Sequence, residues 1–202
     1  METLKESDKI LLLRLARETI VEFLSNGTVS NVSADQFDEA LNANRACFVT
    51  LQKRGSGLRG CIGTFDTGSP LYENVISRAI AAATQDYRFN RVDISEMKDI
   101  KIEISVLTPP EPLIVSSADE LLDKIKPDID GVILKTRFGG RQSTFLPQVW
   151  DQIPSKEQFF SHLCMKQGAP DNAWKDDFKH VEIFTYQAIK FEENKYGGDM
   201  KE

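Results

Sequence analysis

The stretch LRGCIGTF, residues 58–65, places a thiol, a guanidinium and two glycines within eight positions. A cysteine reacts as its thiolate, and a nearby positive charge favours that form. Residues two apart on a strand share a face, with Cα atoms about 7 Å apart, so the Arg59 side chain can reach the sulfur of Cys61. The pattern therefore makes Cys61 a candidate nucleophile and Arg59 a candidate substrate-binding residue.

The glycines beside Cys61 have two interpretations. Gly60 and Gly63 leave room for a ligand or another strand to approach the backbone, which together with Thr64 predicts a substrate-binding stretch. Alternatively, Cys61 is a small buried hydrophobic residue, and the glycines permit tight packing. The sequence leaves both interpretations open.

Other polar residues also have two interpretations. Asp86 and Arg88 follow an Ala-rich helix, either as an acid–base group with an anion-binding arginine or as an ion pair that ends the helix. Glu103 and Ser105 share the polar face of an apolar strand, where Glu103 is a candidate general base or part of a solvated face. Gln148, in FLPQV, either contacts a polar ligand through its amide or ties down an irregular loop.

Periodicity predicts the elements that position these residues. A helix is expected over 7–25, capped by Ser7 and ended by Gly27. The segment RACFVTLQKRGSGLRGCIGTF predicts a hairpin that turns within KRGSG. A second helix starts with Ser69 as the cap and Pro70 as the first helical residue. IKIEISVLTPP alternates strictly and predicts a half-buried strand.

The later part of the chain predicts the same mixture of elements. SSADELLDKI and SKEQFFSHLCMKQG are typical of helices, the second with a capping box of Ser155 and Gln158 and an end at Gly168. DGVILKTRFGGRQSTFLPQV predicts a hairpin that turns at Gly139-Gly140, and HVEIFTYQAIKFEE predicts one last strand. Residues 194–202 are expected to be a loose tail. The fold class is therefore α+β, a largely antiparallel sheet flanked by helices.

Composition limits the classes of function. The chain has 202 residues, a net charge of −6 and a pI of about 5.1, which disfavours a global electrostatic grip on nucleic acid but allows a local basic patch around Lys53, Arg54 and Arg59. Its apolar runs are shorter than the roughly 20 residues of a membrane span, and its first residues lack the features of a signal peptide. We expect a cytoplasmic protein without a membrane partner.

The cysteines and histidines predict neither a disulfide framework nor a metal site. Cys47, Cys61 and Cys164 are scattered and form no CxxC pair, and the histidines are His162 and His180. Cys47 alternates with core residues, which predicts a buried thiol. No motif points to a cofactor.

Several motifs together resemble the AMMECR1 family. CFVTL, LRGCIGTF, AAATQDYRFNRV, IEISVLTPPEPL, DGVIL, FLPQVW and FFSHLCMKQG follow one another in the family's order. The resemblance is strongest to the bacterial branch, often encoded with a Memo-like protein and a radical-SAM protein. It implies a single domain over 1–202, with a core of about 7–191, and two lobes around a central cleft lined by the Arg-Gly-Cys-Ile-Gly-Thr strand.

The resemblance leaves the biochemical function open, including whether the protein is an enzyme. We expect a protein that binds or modifies an anionic ligand, nucleotide-like or a nucleic acid, at the Cys61 strand. The alternative is a non-catalytic partner or scaffold subunit that acts with Memo-like and radical-SAM proteins. Thiol state distinguishes the two, because a scaffold's Cys61 should be buried and inert.

Overall fold

The computed structural model describes residues 4–138 and 142–198. The predicted turn at Gly139-Gly140 lies outside these residues. The helices are α1 (Glu6–Asn26), α2 (Glu39–Asn42), α3 (Leu71–Thr84), α4 (Ala118–Lys124), α5 (Lys156–Lys166) and α6 (Ala173–Asp176). The strands are β1 (Cys47–Lys53), β2 (Gly57–Gly63), β3 (Ile100–Leu107), β4 (Glu111–Pro112), β5 (Gly131–Lys135), β6 (Gln142–Phe145), β7 (Glu182–Tyr186) and β8 (Ala188–Glu192).

The described chain divides into two compact units. The first contains the residues up to Leu107 together with those from Ile189 onward, and the second is Thr108–Ala188. Each holds a four-stranded sheet, in the order β2-β1-β3-β8 and β4-β7-β5-β6. The α+β class is therefore confirmed, and the predicted antiparallel sheet is divided into two. Among the described residues, no helix combines the length and the apolar character needed to cross a membrane.

The core of the first unit lies between its sheet and the helices α1 and α3. The register places Val49 opposite both Ile62 and Ile104, so the apolar side chains of three strands share one face. Cys47, Val49 and every second residue of β3 are fully buried there, as the alternation predicts. A Cβ on Gly60 would lie 2.2 Å from the carbonyl oxygen of Ala82, so β2 lies directly on α3.

Helix ends differ from the predicted ones by one or two residues. The N-cap of α1 is Lys5 rather than Ser7, and its backbone N–H donates to the Asp8 carboxylate at 2.7 Å. Gly27 ends α1 at φ 73°, as predicted, because a glycine adopts the left-handed conformation without a Cβ penalty. Pro70 is the N-cap of α3 rather than its first residue.

The segment predicted as one last strand forms two strands in different sheets. β7 pairs with β4 and β5, whereas β8 lies beside β3. Between them, the N–H of Gln187 donates to the Thr108 hydroxyl at 2.8 Å. Alternation continues across the break, so the sequence pattern does not show it. After β8, the N–H of Gly197 donates to the carbonyl of Ile100 at 2.8 Å, which holds the described part of the predicted loose tail.

The core of the second unit is aromatic. The rings of Trp150 and Phe159 are stacked with centroids 3.6 Å apart, and Phe160 and Trp174 are buried beside them. These large rings supply much of the buried apolar area of a small unit. Both tryptophans are therefore packing residues.

Candidate functional site

The face of the first sheet opposite its core carries a row of polar side chains, one from each of three neighbouring strands. Thr50 on β1 is opposite Cys61 on β2 and opposite Glu103 on β3. The Thr50 hydroxyl lies 3.2 Å from the sulfur of Cys61, to which it donates. We call Cys61, Thr50 and Glu103 the polar row.

Cys61 is the accessible thiol of the protein. Its side chain is half-buried, whereas Cys47 and Cys164 are buried. Burial raises the pKa of Cys47 to about 12 and that of Cys164 to about 11, so both stay protonated at neutral pH. Cys61 is therefore the thiol that solvent and a ligand can reach.

The turn after α3 holds the backbone of Cys61 at the open edge of the sheet. β2 is an outer strand, so its outward peptide groups have no neighbouring strand to bind. The N–H of Cys61 donates to Asp86 Oδ2 at 2.8 Å, and its carbonyl accepts from Arg88 Nη2 at 3.4 Å. Two side chains thus replace the missing strand at this residue and fix the position of Cys61.

Asp86 and Arg88 form an ion pair with one buried and one open partner. Nε and Nη2 of Arg88 donate to the two carboxylate oxygens at 2.9 and 2.6 Å. These bonds hold the pKa of Asp86 well below its usual range, assisted by backbone N–H donors from Cys61 and Arg88 and opposed by burial. The carboxylate is 3% exposed and the arginine side chain 43% exposed.

Arg88 keeps part of its guanidinium available. Its pKa is raised chiefly by the hydrogen bond to Asp86 and further by the charge of that carboxylate, and burial opposes the rise. Its Nη1 makes no hydrogen bond within residues 4–138 and 142–198. A guanidinium held on one edge and open on the other is suited to bind an anionic oxygen.

Arg59, the arginine that the sequence placed beside Cys61, has other partners. Its Nε and Nη2 each donate to a carboxylate oxygen of Glu96 at 2.9 Å, and its Nη1 donates to the carbonyl of Asn90 at 2.9 Å. The side chain is 13% exposed. Arg59 therefore anchors the segment before β3, and Arg88 is the arginine bonded to the Cys61 backbone.

A bulge in the hairpin explains this exchange of roles. Leu51 is opposite Gly60 and Gln52 is opposite Leu58, so Arg59 is an extra residue without a partner on β1. A bulge breaks strict alternation, so residues on either side of it no longer share a face in the regular way. The assumption that placed Arg59 next to Cys61 fails at this residue.

Other protein atoms fill the space that a side chain at Gly60 or Gly63 would need. Gly60 lies against the backbone of Ala82, and a Cβ on Gly63 would lie 2.2 Å from the ring of Phe48. Both positions therefore support the interpretation of tight packing. Thr64 follows the strand, where its N–H donates to the carbonyl of Cys47 at 3.0 Å and its hydroxyl accepts from the N–H of Asp66.

Glu103 is buried and already bonded. Its Oε2 forms an ion pair with Lys190 Nζ at 2.8 Å and accepts a hydrogen bond from Gln52 Nε2 at 3.2 Å. Within the described residues, the partners of Glu103 do not include the thiol of Cys61, which accepts from the Thr50 hydroxyl. Glu103 thus stabilises the polar row and is not in contact with Cys61.

The comparisons with known proteins decide the family. The AMMECR1 family model matches residues 13–191. The chain belongs to the AMMECR1 family. It is 40% identical over 207 residues to protein MK0488 of Methanopyrus kandleri, covering 99% of this chain and 94% of that protein. It is 36% identical over 208 residues to protein MJ0810 of Methanocaldococcus jannaschii, covering 100% of this chain and 98% of the relative.

A solved structure shows the same fold. The crystal structure of protein PH0010 from Pyrococcus horikoshii matches with a TM-score of 0.81 and 34% identity, over 98% of this chain and 97% of that one. These relatives are archaeal, so the expected bacterial branch of the AMMECR1 family is not supported.

The remaining candidate lies in the second unit. Gln148 is part of the 3-10 turn Pro147–Asp151, and its Oε1 is buried without a hydrogen bond in the described chain.

Thr50 is the site residue that sequence reasoning missed. A register count from the hairpin turn would have paired Thr50 with Gly60, because the bulge at Arg59 is not visible in the sequence.

Among residues 4–138 and 142–198, no group of three or more potential ligands could hold a metal ion.

Proposed function

We propose that this AMMECR1-family protein binds a small anionic ligand at the polar face of its first sheet, beside Cys61. Nucleotides are the first class of ligand to screen. Cys61 contacts the ligand, and Arg88 supplies the positive charge. The observation that carries the proposal is that one short turn both fixes the Cys61 peptide and presents a half-exposed guanidinium.

Preorganisation supports this assignment. The Cys61 peptide is held at its N–H by Asp86 and at its carbonyl by Arg88, so the thiol does not need to be ordered when a ligand arrives. Asp86 is buried and ionised, so it keeps Arg88 in place while leaving one guanidinium edge open. A site that is already in its binding geometry loses less entropy on binding.

The arrangement favours binding over a committed catalytic role. A thiol nucleophile needs a base or a depressed pKa to become a thiolate. Among the described residues, the side-chain partner of the Cys61 sulfur is a hydroxyl, and Glu103 is engaged by Lys190 and Gln52. Donation from Thr50 would stabilise a thiolate once formed, so the site can hold a negative sulfur without producing it.

Competing alkylation reagents test the proposal. Iodoacetamide is neutral and iodoacetate is an anion, so the ratio of their rates at one cysteine measures local attraction for anions. Peptide mass spectrometry reports each cysteine separately. We expect both reagents to label Cys61 in the native protein, with a rate ratio, iodoacetate over iodoacetamide, several-fold above that in the urea-unfolded chain. Cys47 and Cys164 should stay unlabelled until the protein unfolds.

Two results would count against the proposal. One is a Cys61 that stays unreactive until unfolding, as expected of a scaffold subunit that acts through Memo-like and radical-SAM partners. The other is a reactive Cys61 whose rate ratio does not exceed that of the unfolded chain. In the first case Cys61→Ala should change only the free energy of unfolding, and in the second the site has no preference for anions.

A further inference from the structure

The end of the second sheet forms a basic pocket. It is a cavity of about 690 Å³ at the point where β5 ends and β6 and β7 begin. Its ionisable lining residues are Lys135, Arg137, Lys179, His180 and Glu182. Three side chains with a permanent positive charge line this cavity, so the pocket is basic although the whole chain has a net charge of −6.

One carboxylate organises two of the basic groups. Asp177 is 14% exposed, and its Oδ1 accepts from Nδ1 of His180 at 2.8 Å. Its Oδ2 lies 2.6 Å from Nε of Arg137, with the geometry of an ion pair rather than a hydrogen bond. The pKa of Asp177 is lowered, first by the hydrogen bond from His180 and then by the charges of Arg137 and Lys179.

Arg137 and His180 are positioned by Asp177 and still have N–H or ring nitrogen atoms without a hydrogen-bond partner in the described residues. Arg137 is 56% exposed, and its Nη groups make no hydrogen bond within residues 4–138 and 142–198. Its guanidinium also lies 5.1 Å from the ring centroid of Phe138, which limits its range of positions. The nitrogen of His180 away from Asp177 has no hydrogen-bond partner in the same described residues.

Lys135, a further basic residue of the pocket lining, makes only a weak ion pair. Nζ of Lys135 lies 3.6 Å from Glu182, and the two side chains are 43% and 68% exposed. Exposed ion pairs of this kind contribute little free energy, so an arriving anion can displace Glu182 from Lys135 at low cost. The ring of Phe184 lies 4.7 Å from the same Nζ and supports the side chain.

We infer that this basic pocket binds the phosphate group of a small phosphorylated molecule. A phosphate carries up to two negative charges and three acceptor oxygens, which match a planar guanidinium on one side and lysine ammonium groups around it. All the lining residues belong to the second unit, so the inference does not rest on the function proposed for Cys61.

Backbone NMR of the full ¹⁵N-labelled chain tests the inference. Inorganic phosphate, AMP and adenosine are titrated at constant ionic strength. We expect the amides of residues 135–137 and 179–182 to shift with phosphate and with AMP, and to stay unmoved with adenosine. Tighter binding of AMP than of phosphate would identify an organic phosphate as the ligand, and equal affinities would identify phosphate itself. Shifts of these amides with adenosine, or no shift of them with phosphate and AMP, would overturn the inference, whereas shifts near Cys61 with AMP would report on the function proposed for the first unit.

Two variants separate a built site from general charge. Arg137→Gln should weaken phosphate binding at least fivefold, whereas Lys175→Gln removes the same charge from an exposed residue outside the pocket and should change it less than twofold. Equal losses in the two variants would refute a defined site. Asp177→Asn tests whether Asp177 positions Arg137 and His180 or only repels the anion. If Asp177 positions them, the variant should bind phosphate more weakly, although it has lost a negative charge. Tighter binding would mean that Asp177 only repels the anion.

Discussion

Two arginine–carboxylate pairs hold strand β2, and they differ in which partner is buried. In the pair of Arg59 and Glu96 both side chains are largely covered, at 13% and 18% exposure. In the pair of Arg88 and Asp86 the carboxylate is 3% exposed and the arginine 43%. The two guanidinium carbons lie 5.9 and 5.5 Å from the ring centroid of the same residue, Phe89.

This difference shows what each pair can do. A covered pair, with four hydrogen bonds from Arg59 to nearby acceptors, fixes the course of the chain and leaves little of the guanidinium for a ligand. A pair with a buried carboxylate and an open arginine fixes the cation and still presents it to solvent. An arginine near a cysteine in sequence is therefore not always the arginine that the fold brings to that cysteine.

The largest effect on both pairs should come from displacing strand β2, which contains Arg59 and is bonded at Cys61 to Asp86 and Arg88. Gly60→Ala places a methyl group against the backbone oxygen of Ala82, which cannot rotate away. We expect the free energy of unfolding to fall by about 3 kcal/mol, as for a severe overpacking change. Urea denaturation measures it. Gly63→Ala is the matched control, and its loss should be smaller because the Phe48 side chain can move; an equal or larger loss would show that α3 does not fix β2.

The next largest effect should come from the buried carboxylate. Asp86→Ala leaves the Cys61 N–H and Arg88 without their acceptor, and we expect a loss of about 2 kcal/mol in the free energy of unfolding. Asp86→Asn keeps an acceptor for the N–H but loses the charge, so it should cost about half as much. If both variants are as stable as the wild type, the turn does not hold the strand.

Acid stability separates the covered pair from the rest of the protein. Hydrogen bonds from Arg59 and then Lys53, opposed by burial, lower the pKa of Glu96 to about 2. A group with a lower pKa in the folded state adds stability above its unfolded pKa, about 4.3, and loses it as the pH falls through the folded pKa. The free energy of unfolding of the wild type should therefore exceed that of Glu96→Gln by about 1–2 kcal/mol at pH 6. This difference should shrink below about pH 4.5 and vanish near pH 2.

Urea unfolding of both proteins between pH 2 and 7 measures this difference. A constant difference across that range would show that the ionised Glu96 carboxylate adds nothing to stability and that the variant acts through packing alone.

The sequence predicts the elements of the fold well where periodicity and punctuation agree. The alternation in IKIEISVLTPP gives β3, and Gly27 and Gly168 end their helices in the left-handed conformation. The prediction of one last strand was wrong, since the segment forms β7 and β8 in different sheets. Alternation is the same whether a strand stays in one sheet or crosses to another.

The candidate site is only partly predictable for a similar physical reason. Cys61, Asp86 and Arg88 were singled out by residue type, and the structure brings them into contact. The roles of Thr50 and Arg59 depend on a bulge, which shifts the register by one residue and leaves no mark in the hydrophobic pattern.

The most direct test of the account compares the two arginines by their effect on Cys61. The ratio of the iodoacetate to the iodoacetamide rate at Cys61 is measured in the wild type, Arg88→Gln and Arg59→Gln, with continued protection of Cys47 as the proof of folding in each sample. We predict that Arg88→Gln lowers the ratio about threefold to tenfold and that Arg59→Gln changes it less than twofold. A ratio that falls as much with Arg59→Gln, or that does not change with Arg88→Gln, would contradict the assignment of Arg88 as the cation of the site.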